Sequence, residues 1–364
     1  MEEYNTLSLF SGAGGLDLGF KQQGFNIIAA NEMDKNAGKT HERNFKETEL
    51  IKGDIDTVFE EILKFKNTDI IIGGPPCQGF SIAGKMDYND PRNKMVWKYL
   101  EVVKELKPRI FVIENVKALY SLDKWRPIRE KIISDAYDMG YSCLPILLNA
   151  KDFGVSQSRY RVFFIGVKDS ELDKDSILAY IDSLKEQPKT VRELFKTVDR
   201  IGMEGNPIDS TAKITFATNP ILRKSPYAGM LFNGMGRPVN IDGIANTLPA
   251  SMGGNKTPII DNEALYNNKI NYVEEYHSAL MRQEKSKNGE APSRLRRLSI
   301  KEAALIQSFP EDFKFEGPMS SVYRQIGNAV PPKLASVIGE LVKAILEDRI
   351  EKSTFKIGQL NLFS

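Results

Sequence analysis

Over about the first 167 residues, short apolar segments rich in β-branched residues alternate with longer segments of helical periodicity. In the segment from Asn93 to Lys107, for example, apolar residues recur every three or four positions. Strands that alternate with helices are typical of a mostly parallel sheet with helices on both faces. The strand-like segments read TLSLF, FNIIAAN, DIIIGG, RIFVIENV, YSCLPILLNA and RVFFIGV.

The last two of these strands are too close in sequence to be parallel neighbours. Only KDFGVSQSRY separates them, which is too short for a crossover helix. We therefore predict an antiparallel hairpin that closes the sheet. After about residue 180 the sequence becomes rich in glycine and proline and weakly periodic, which predicts a separate, loop-rich domain with short strands.

Composition limits the possible functions. Of the 364 residues, 41% are hydrophobic and 27% are charged, and no apolar run is long enough to span a membrane. The two cysteines, Cys77 and Cys143, form no C-x-x-C pair, so we expect neither a disulfide framework nor a metal site. These features predict a cytoplasmic protein. A net charge of +2 does not by itself indicate nucleic-acid binding.

A glycine-rich turn, LFSGAGGLDLGF, follows the first strand and includes Gly12 and Gly14. Asp17 stands where a dinucleotide-binding fingerprint requires its third glycine. Glu32 ends the second strand, where a carboxylate can accept from ribose hydroxyls, and Asp54 follows the third, where it can accept from an adenine amine. The turn offers no extended pyrophosphate cradle, so S-adenosyl-L-methionine fits better than NAD.

Four further motifs follow the glycine turn: GGPPCQGFS at 73–81, ENV at 114–116, QSRYR at 157–161 and QIGNAVPP at 325–332. With these motifs in this order, the sequence resembles the DNA cytosine-5 methyltransferases of bacterial restriction-modification systems. The resemblance implies a class I, Rossmann-like methyltransferase domain and a small target-recognition domain. We expect the first to comprise residues 1–180 and 320–364, and the second residues 181–319.

The resemblance also implies the site residues. Cys77 matches the nucleophile that adds to C6 of cytosine, Glu114 the carboxyl group on the cytosine edge, and Arg159 and Arg161 the active-site arginines. A burial role, the usual one for a free cysteine, is the alternative for Cys77. The positions that match cofactor contacts, with Gly14 of the glycine turn, are Phe10, Gly12, Gly14, Leu16, Glu32, Met33, Asp54, Ile55, Pro76, Asn328, Ala329 and Val330.

Double-stranded DNA is the expected substrate, with the target cytosine flipped out of the helix.

Leu305 and Ser308 depart from the family pattern, in which arginine and glycine are common. We expect a monomer that acts beside a cognate restriction endonuclease without a stable complex. The predicted DNA contacts are Gln78, Ser81, Arg237, Thr247 and Lys256, of which Arg237 is the candidate reader of guanine and Thr247 a phosphate or framework contact.

Three other functions agree less well with the sequence. A nicotinamide dehydrogenase would need the third glycine that Asp17 replaces. A non-catalytic DNA-binding relative would typically have lost the cysteine, the glutamate or the glycine turn. A tRNA-directed relative usually has proline and threonine where this chain has Gly79 and Ser81.

Overall fold

A computed structural model of the protein describes residues 3–76 and 94–350. Its main sheet has seven strands. These strands are β1 (Asn5–Leu9), β2 (Asn26–Glu32), β3 (Glu49–Lys52), β4 (Ile70–Gly73), β5 (Ile110–Val116), β6 (Tyr141–Asn149) and β7 (Tyr160–Lys168). Two small sheets are built from β8 (Phe216–Ile221) with β9 (Met230–Phe232), and from β10 (Ile259–Asp261) with β11 (Leu295–Arg297).

The strand order in the main sheet is β3-β2-β1-β4-β5-β7-β6. The first five strands in this order pair in parallel, whereas β7 is antiparallel to both β5 and β6. The predicted parallel sheet and closing hairpin are therefore confirmed. The second strand of the hairpin, β7, lies inside, so that Val116 of β5 pairs with Arg161.

Helices cover both faces of the sheet, with a hydrophobic core on each side. The predicted amphipathic segment near Asn93 to Lys107 forms helix α4 (Lys94–Leu106), which buries Val96, Tyr99 and Val103. The helices are α1 (Gly15–Gln22), α2 (Lys35–Asn44), α3 (Phe59–Ile62), α4 (Lys94–Leu106), α5 (Lys117–Ser121), α6 (Arg126–Asp138), α7 (Lys174–Ser183), α8 (Val191–Phe195), α9 (Asn262–Asn267), α10 (Tyr272–Met281), α11 (Ile300–Ile306), α12 (Met319–Asn328) and α13 (Pro332–Leu346).

The last helix, α13, packs against the first, α1. A Cβ atom on Gly19 would lie 2.3 Å from Cβ of Ala335, so the two helices approach as closely as glycine permits. Leu334, Ile338 and Leu341 are fully buried in the same core. The C-terminal segment thus completes the core that the N-terminal segment begins.

Residues from α8 through α12 contain the short strands predicted for this region and two further hydrophobic clusters. The boundaries of the two domains stay a prediction. Within residues 3–76 and 94–350, no helix is both long and apolar enough to cross a bilayer. The same residues form no cluster of three acidic, histidine or cysteine side chains suited to a metal ion.

Candidate active site

The glycine turn lies at the carboxyl edge of the sheet, between β1 and α1. Gly12 and Gly14 adopt φ angles of 58° and 89°, in the left-handed region that glycine tolerates best. A Cβ atom on Gly14 would lie 2.3 Å from the ring of Phe45, so this glycine is also required by packing. No described atom lies within 4 Å of a Cβ built on Gly12, which leaves that face of the turn open to a ligand.

Glu32 ends β2 and holds the turn in place. The Gly12 N–H donates to its Oε2 (2.7 Å) and the Asp34 N–H to its Oε1 (2.6 Å). Burial raises the pKa of Glu32 and outweighs these two hydrogen bonds, which favour the carboxylate. Each oxygen retains a lone pair, so ribose contact by Glu32 remains open as a prediction.

Asp54 follows β3 at the same edge of the sheet. Its Oδ1 accepts from the Asp56 N–H (2.9 Å) and so caps a turn. Among the described residues, no donor reaches its Oδ2. Asp54 is half-buried, next to the buried Ile55, and Met33 after β2 is 65% exposed. One carboxylate oxygen of Asp54 is therefore available for an adenine amine.

The C-terminal motif meets the glycine turn. The carbonyl oxygen of Val330 would lie 2.4 Å from a Cβ atom on Gly15, and the Ala329 side chain 3.1 Å from it. Leu16 is buried on α1, and Phe10 and Asn328 lie at the ends of β1 and α12. The predicted cofactor residues within the described chain thus occupy one edge of the sheet.

Glu114 lies near the carboxyl end of β5 and is 9% exposed. Nε of Arg161, on the neighbouring strand β7, lies 2.6 Å from its Oε1. A Cβ atom on Gly74 would lie 2.9 Å from its Oε2. Burial raises the pKa of Glu114 and outweighs the opposing effect of Arg161 and Arg159. The protonated form of this carboxyl group therefore persists to higher pH than in an exposed glutamate.

Arg159 is 1% exposed and ties three segments together. Its Nη1 donates to the Leu248 carbonyl (3.0 Å) and its Nη2 to the Gly327 carbonyl (2.7 Å). Burial lowers the pKa of its guanidinium, and the nearby Arg161 lowers it further. Its Nε has no hydrogen-bond partner in the part of the chain that the structure describes.

Cys77, Gln78 and Ser81 lie outside the described residues. The backbone that leads to Cys77 is described as far as Pro76, which is exposed. Asn115 Nδ2 donates to the Pro75 carbonyl (3.2 Å) and so attaches this backbone to β5, beside Glu114.

The other predicted DNA contacts lie in the loop-rich region. Thr247 Oγ1 donates to the Ser158 carbonyl (2.6 Å), which is a framework contact of the kind considered for it. Arg237 and Lys256 are exposed, and within residues 3–76 and 94–350 neither has an ion-pair partner. A Cβ atom on Gly236 would lie 2.2 Å from the Thr257 carbonyl oxygen, so these two cations project from segments in close contact.

Sequence reasoning missed a buried network below the glycine turn. Ser8 donates to Oδ1 of Asp17, and Nε2 of His41 lies 2.7 Å from Oδ2 of Asp17. The His41 ring stacks on Phe45 at 4.4 Å. The only signal in the sequence is Asp17 itself, which replaces the third glycine of a dinucleotide fingerprint.

The two departures from the family pattern lie on α11 and directly after it. Leu305 is buried on α11, at 8% exposure. Ser308 has a φ of 68°, which explains why glycine is common at this position. Its Oγ accepts from the Lys333 N–H (3.1 Å) at the start of α13, which offsets part of the backbone strain.

Comparisons with known proteins agree with this geometry. The family model described as C-5 cytosine-specific DNA methylase matches residues 4–344. Type II methyltransferase M.FnuDI of Fusobacterium nucleatum is 34% identical, over 98% of this chain and 99% of its own length. Type II methyltransferase M.MthTI of Methanothermobacter thermautotrophicus is also 34% identical, over 93% of this chain and 97% of its own.

Solved structures show the same fold. A DNA modification methyltransferase encoded within an Escherichia coli prophage superposes with a TM-score of 0.65 at 25% identity, over 95% of this chain and 100% of its own. DNMT2 of Spodoptera frugiperda gives a TM-score of 0.65 at 19% identity, over 94% and 100% of the two chains, and supports the fold alone. S-adenosyl-L-methionine, the cofactor predicted from the sequence, is the methyl donor of this class of enzymes. The chain belongs to the family of C-5 cytosine-specific DNA methylases.

Proposed function

We propose that this DNA methyltransferase methylates C5 of a cytosine in one specific double-stranded sequence, through a covalent bond between Cys77 and C6 of the base. The observation that carries the proposal is the placement of Glu114. Its buried carboxyl group contacts Arg161 and lies beside the backbone that leads to Cys77, to which the neighbouring Asn115 is hydrogen-bonded. The proposed proton donor on β5 thus lies next to β4, the strand that leads to Cys77.

The cofactor would lie along the edge formed by the ends of β1, β2 and β3. The open face of Gly12 admits a ligand against the backbone, while Glu32 and Asp54 supply acceptors for ribose and adenine. When bound, S-adenosyl-L-methionine supplies an electrophilic methyl group on sulfur. Asn328, Ala329 and Val330 would close the site from the C-terminal side.

C5 of cytosine is a poor nucleophile, and addition of a thiolate to C6 moves electron density toward C5. A free thiol has a pKa near 8.5, so a neighbouring cation is needed to favour the thiolate at neutral pH. Arg161, which contacts Glu114 and borders Arg159, supplies positive charge near the strand end. The thiolate adds to C6 while neutral Glu114 donates its proton toward N3, and C5 then takes the methyl group. Transfer of the C5 proton to a base, release of the Cys77 thiolate from C6 and return of the N3 proton to Glu114 then restore the ring and the enzyme.

Burial of the two central groups supports base flipping. Glu114 is 9% exposed and Arg159 is 1% exposed. A cytosine stacked in a duplex cannot present its N3 edge and both ring faces to groups at this depth. We infer that the base leaves the helix, at a cost of a few kcal/mol.

We further propose that the protein is the protective methylase of a restriction-modification system and acts as a monomer. Several relatives are named type II methyltransferases, which supports the first part. Arg237, on a glycine-flanked turn, is our candidate for reading a guanine, since arginine can contact O6 and N7 together. Methylome sequencing of an Arg237→Ala variant would show a relaxed motif for base reading, and a uniform loss for a phosphate contact.

The test of the reaction is expression in a methylation-free host, followed by bisulfite sequencing. Wild type should methylate cytosine at one sequence, and Cys77→Ala should methylate none while still binding S-adenosyl-L-methionine in calorimetry. Cys143→Ala is the matched control, because burial raises the pKa of that thiol to about 12 and the residue lies on β6. Full activity in Cys77→Ala would refute the covalent step. Modification of tRNA but not DNA by wild type would instead favour a tRNA-directed enzyme.

A further inference from the structure

Two buried glutamines form a continuous hydrogen-bonded relay. The Leu248 N–H donates to Oε1 of Gln157 (2.8 Å), and Nε2 of Gln157 donates to Oε1 of Gln307 (2.5 Å). Nε2 of Gln307 in turn donates to the Ala329 carbonyl (2.6 Å). Both glutamine residues are fully buried. The glutamine relay therefore joins Leu248 to Ala329 without an intervening solvent-exposed group.

The relay connects three segments that carry different parts of the site. Leu248 follows Thr247 in the loop-rich region, and Gln157 lies two residues before Arg159. Ala329 belongs to the predicted cofactor segment and lies beside Gly15. The relay thus runs from a predicted DNA-contacting segment, past an active-site arginine, to the cofactor edge.

The direction of the relay is fixed by its ends. A backbone N–H at Leu248 can only donate, and the Ala329 carbonyl can only accept. Rotation of either amide by 180° would oppose two donors or two acceptors inside the core, at about 1–3 kcal/mol for each unsatisfied group. The two side chains must therefore move together or lose their partners.

A second set of bonds fixes the same loop segment to the residues around Gln157. Arg159 holds the Leu248 carbonyl, and Thr247 holds the Ser158 carbonyl. The backbone of Ala245 bonds to both Ser156 and Ser158. A displacement of residues 245–248 by bound DNA would therefore be passed to Gln157 rather than absorbed locally.

We propose that Gln157 and Gln307 are positioning residues that couple the binding of target DNA to the binding of the cofactor. DNA that contacts residues 245–248 fixes the position of the Gln157 side chain. Gln157 then fixes the position of the Gln307 side chain and, through it, that of the Ala329 carbonyl at the edge of the cofactor site. The inference rests on the proposed function, in particular on cofactor contact by Asn328, Ala329 and Val330. Because such coupling is reciprocal, the cofactor must tighten DNA binding by the same factor.

The test is calorimetric, with S-adenosylhomocysteine as the cofactor so that no turnover occurs. Its affinity is measured without DNA and with a duplex that carries the site found by bisulfite sequencing. We expect the duplex to tighten binding at least about fivefold in wild type, the lower end of usual coupling factors. In Gln307→Met, which keeps the chain length but cannot donate to Ala329, the coupling should fall below about twofold. Gln157→Met should show the same fall in coupling, and it replaces Gln307→Met in the test if that variant fails to fold.

Gln325→Met is the matched control. Gln325 is a buried glutamine on α12 whose side chain bonds to Thr40, Glu316 and Ser321, none of which belongs to residues 245–248. It should lose thermal stability as the other variants do yet keep the wild-type coupling. Unchanged coupling in Gln307→Met and Gln157→Met, equal loss in Gln325→Met, or no coupling in wild type would each overturn the inference. Failure of wild type to bind the cofactor at all would instead refute the proposed function.

Discussion

Gly74 sets the position of the Glu114 carboxyl group, which makes Gly74→Ala a sharp probe of the mechanism. A Cβ atom at Gly74 would lie 2.9 Å from Oε2 of Glu114, whereas ordinary contacts begin at 3.4 Å. No other described atom outside Glu114 lies within 4 Å of it, and Gly74 does not have a positive φ. Alanine therefore fits the backbone and displaces only the carboxyl group, by about 0.5 Å.

The expected loss of activity follows from this displacement. A misplacement of about 1 Å at a reacting group can reduce a rate by about 100-fold. A shift of half that size should slow methyl transfer roughly tenfold, or about 1.4 kcal/mol of barrier. Folding should be little affected, because the flexible end of Glu114 can rotate away and alanine restricts the unfolded chain more than glycine does.

The assay is single-turnover transfer of a radioactive methyl group to a duplex that carries the target site. Gly38→Ala is the control, since its Cβ atom would meet only Leu50, at 3.3 Å, on the α2 side of the sheet. This control should keep the wild-type rate. A rate within about twofold of wild type in Gly74→Ala, with Glu114→Gln strongly impaired, would refute the claim that the chemistry depends on the placement of this carboxyl group.

Three further predictions test other parts of the site. Asp54→Asn should keep the turn that Asp54 caps but present a donor to the adenine amine. Both Asp54→Asn and Asp54→Ala should therefore weaken cofactor binding by about 1–3 kcal/mol in calorimetry. Wild-type affinity in Asp54→Asn would show that Asp54 only caps the turn. Ser308→Gly should be about 1–2 kcal/mol more stable to urea than Ser308→Ala, since both lose the bond from Lys333 but only glycine relieves the positive φ; equal stabilities would contradict this account. Burial raises the pKa of Glu114, so the stability that its protonated form contributes is present at low pH and is lost as pH rises through that pKa. In thermal melts from about pH 4 to pH 9, the melting temperature of wild type should therefore fall relative to that of Glu114→Gln as pH rises. A constant difference between the two melting temperatures would count against the raised pKa.

Local signals explain why the sheet and the glycine turn could be predicted. Strand and helix periodicity extends over neighbouring residues, and the short β6–β7 connection leaves a hairpin as the only pairing. The buried partners could not be predicted in the same way. Gln157 meets Gln307 across 150 positions, and Asp17 meets His41 across 24. No periodicity records such contacts, and a glutamine in a sequence gives no sign that it will be buried.

The pairing of α13 with α1 has a consequence for the newly made protein. Proteins are synthesised from the N-terminus at about 5–20 residues per second, so roughly 15–60 s separate the appearance of the two helices at the ribosome. During that time the face of α1 around Gly19 lacks the helix that covers it in the finished protein. A nascent chain therefore carries Cys77, Glu114, Arg159 and Arg161, the proposed catalytic residues, well before it has a complete core. We expect methylation to await α13, and a chain that ends before Pro332 should be inactive although it contains all the proposed catalytic residues.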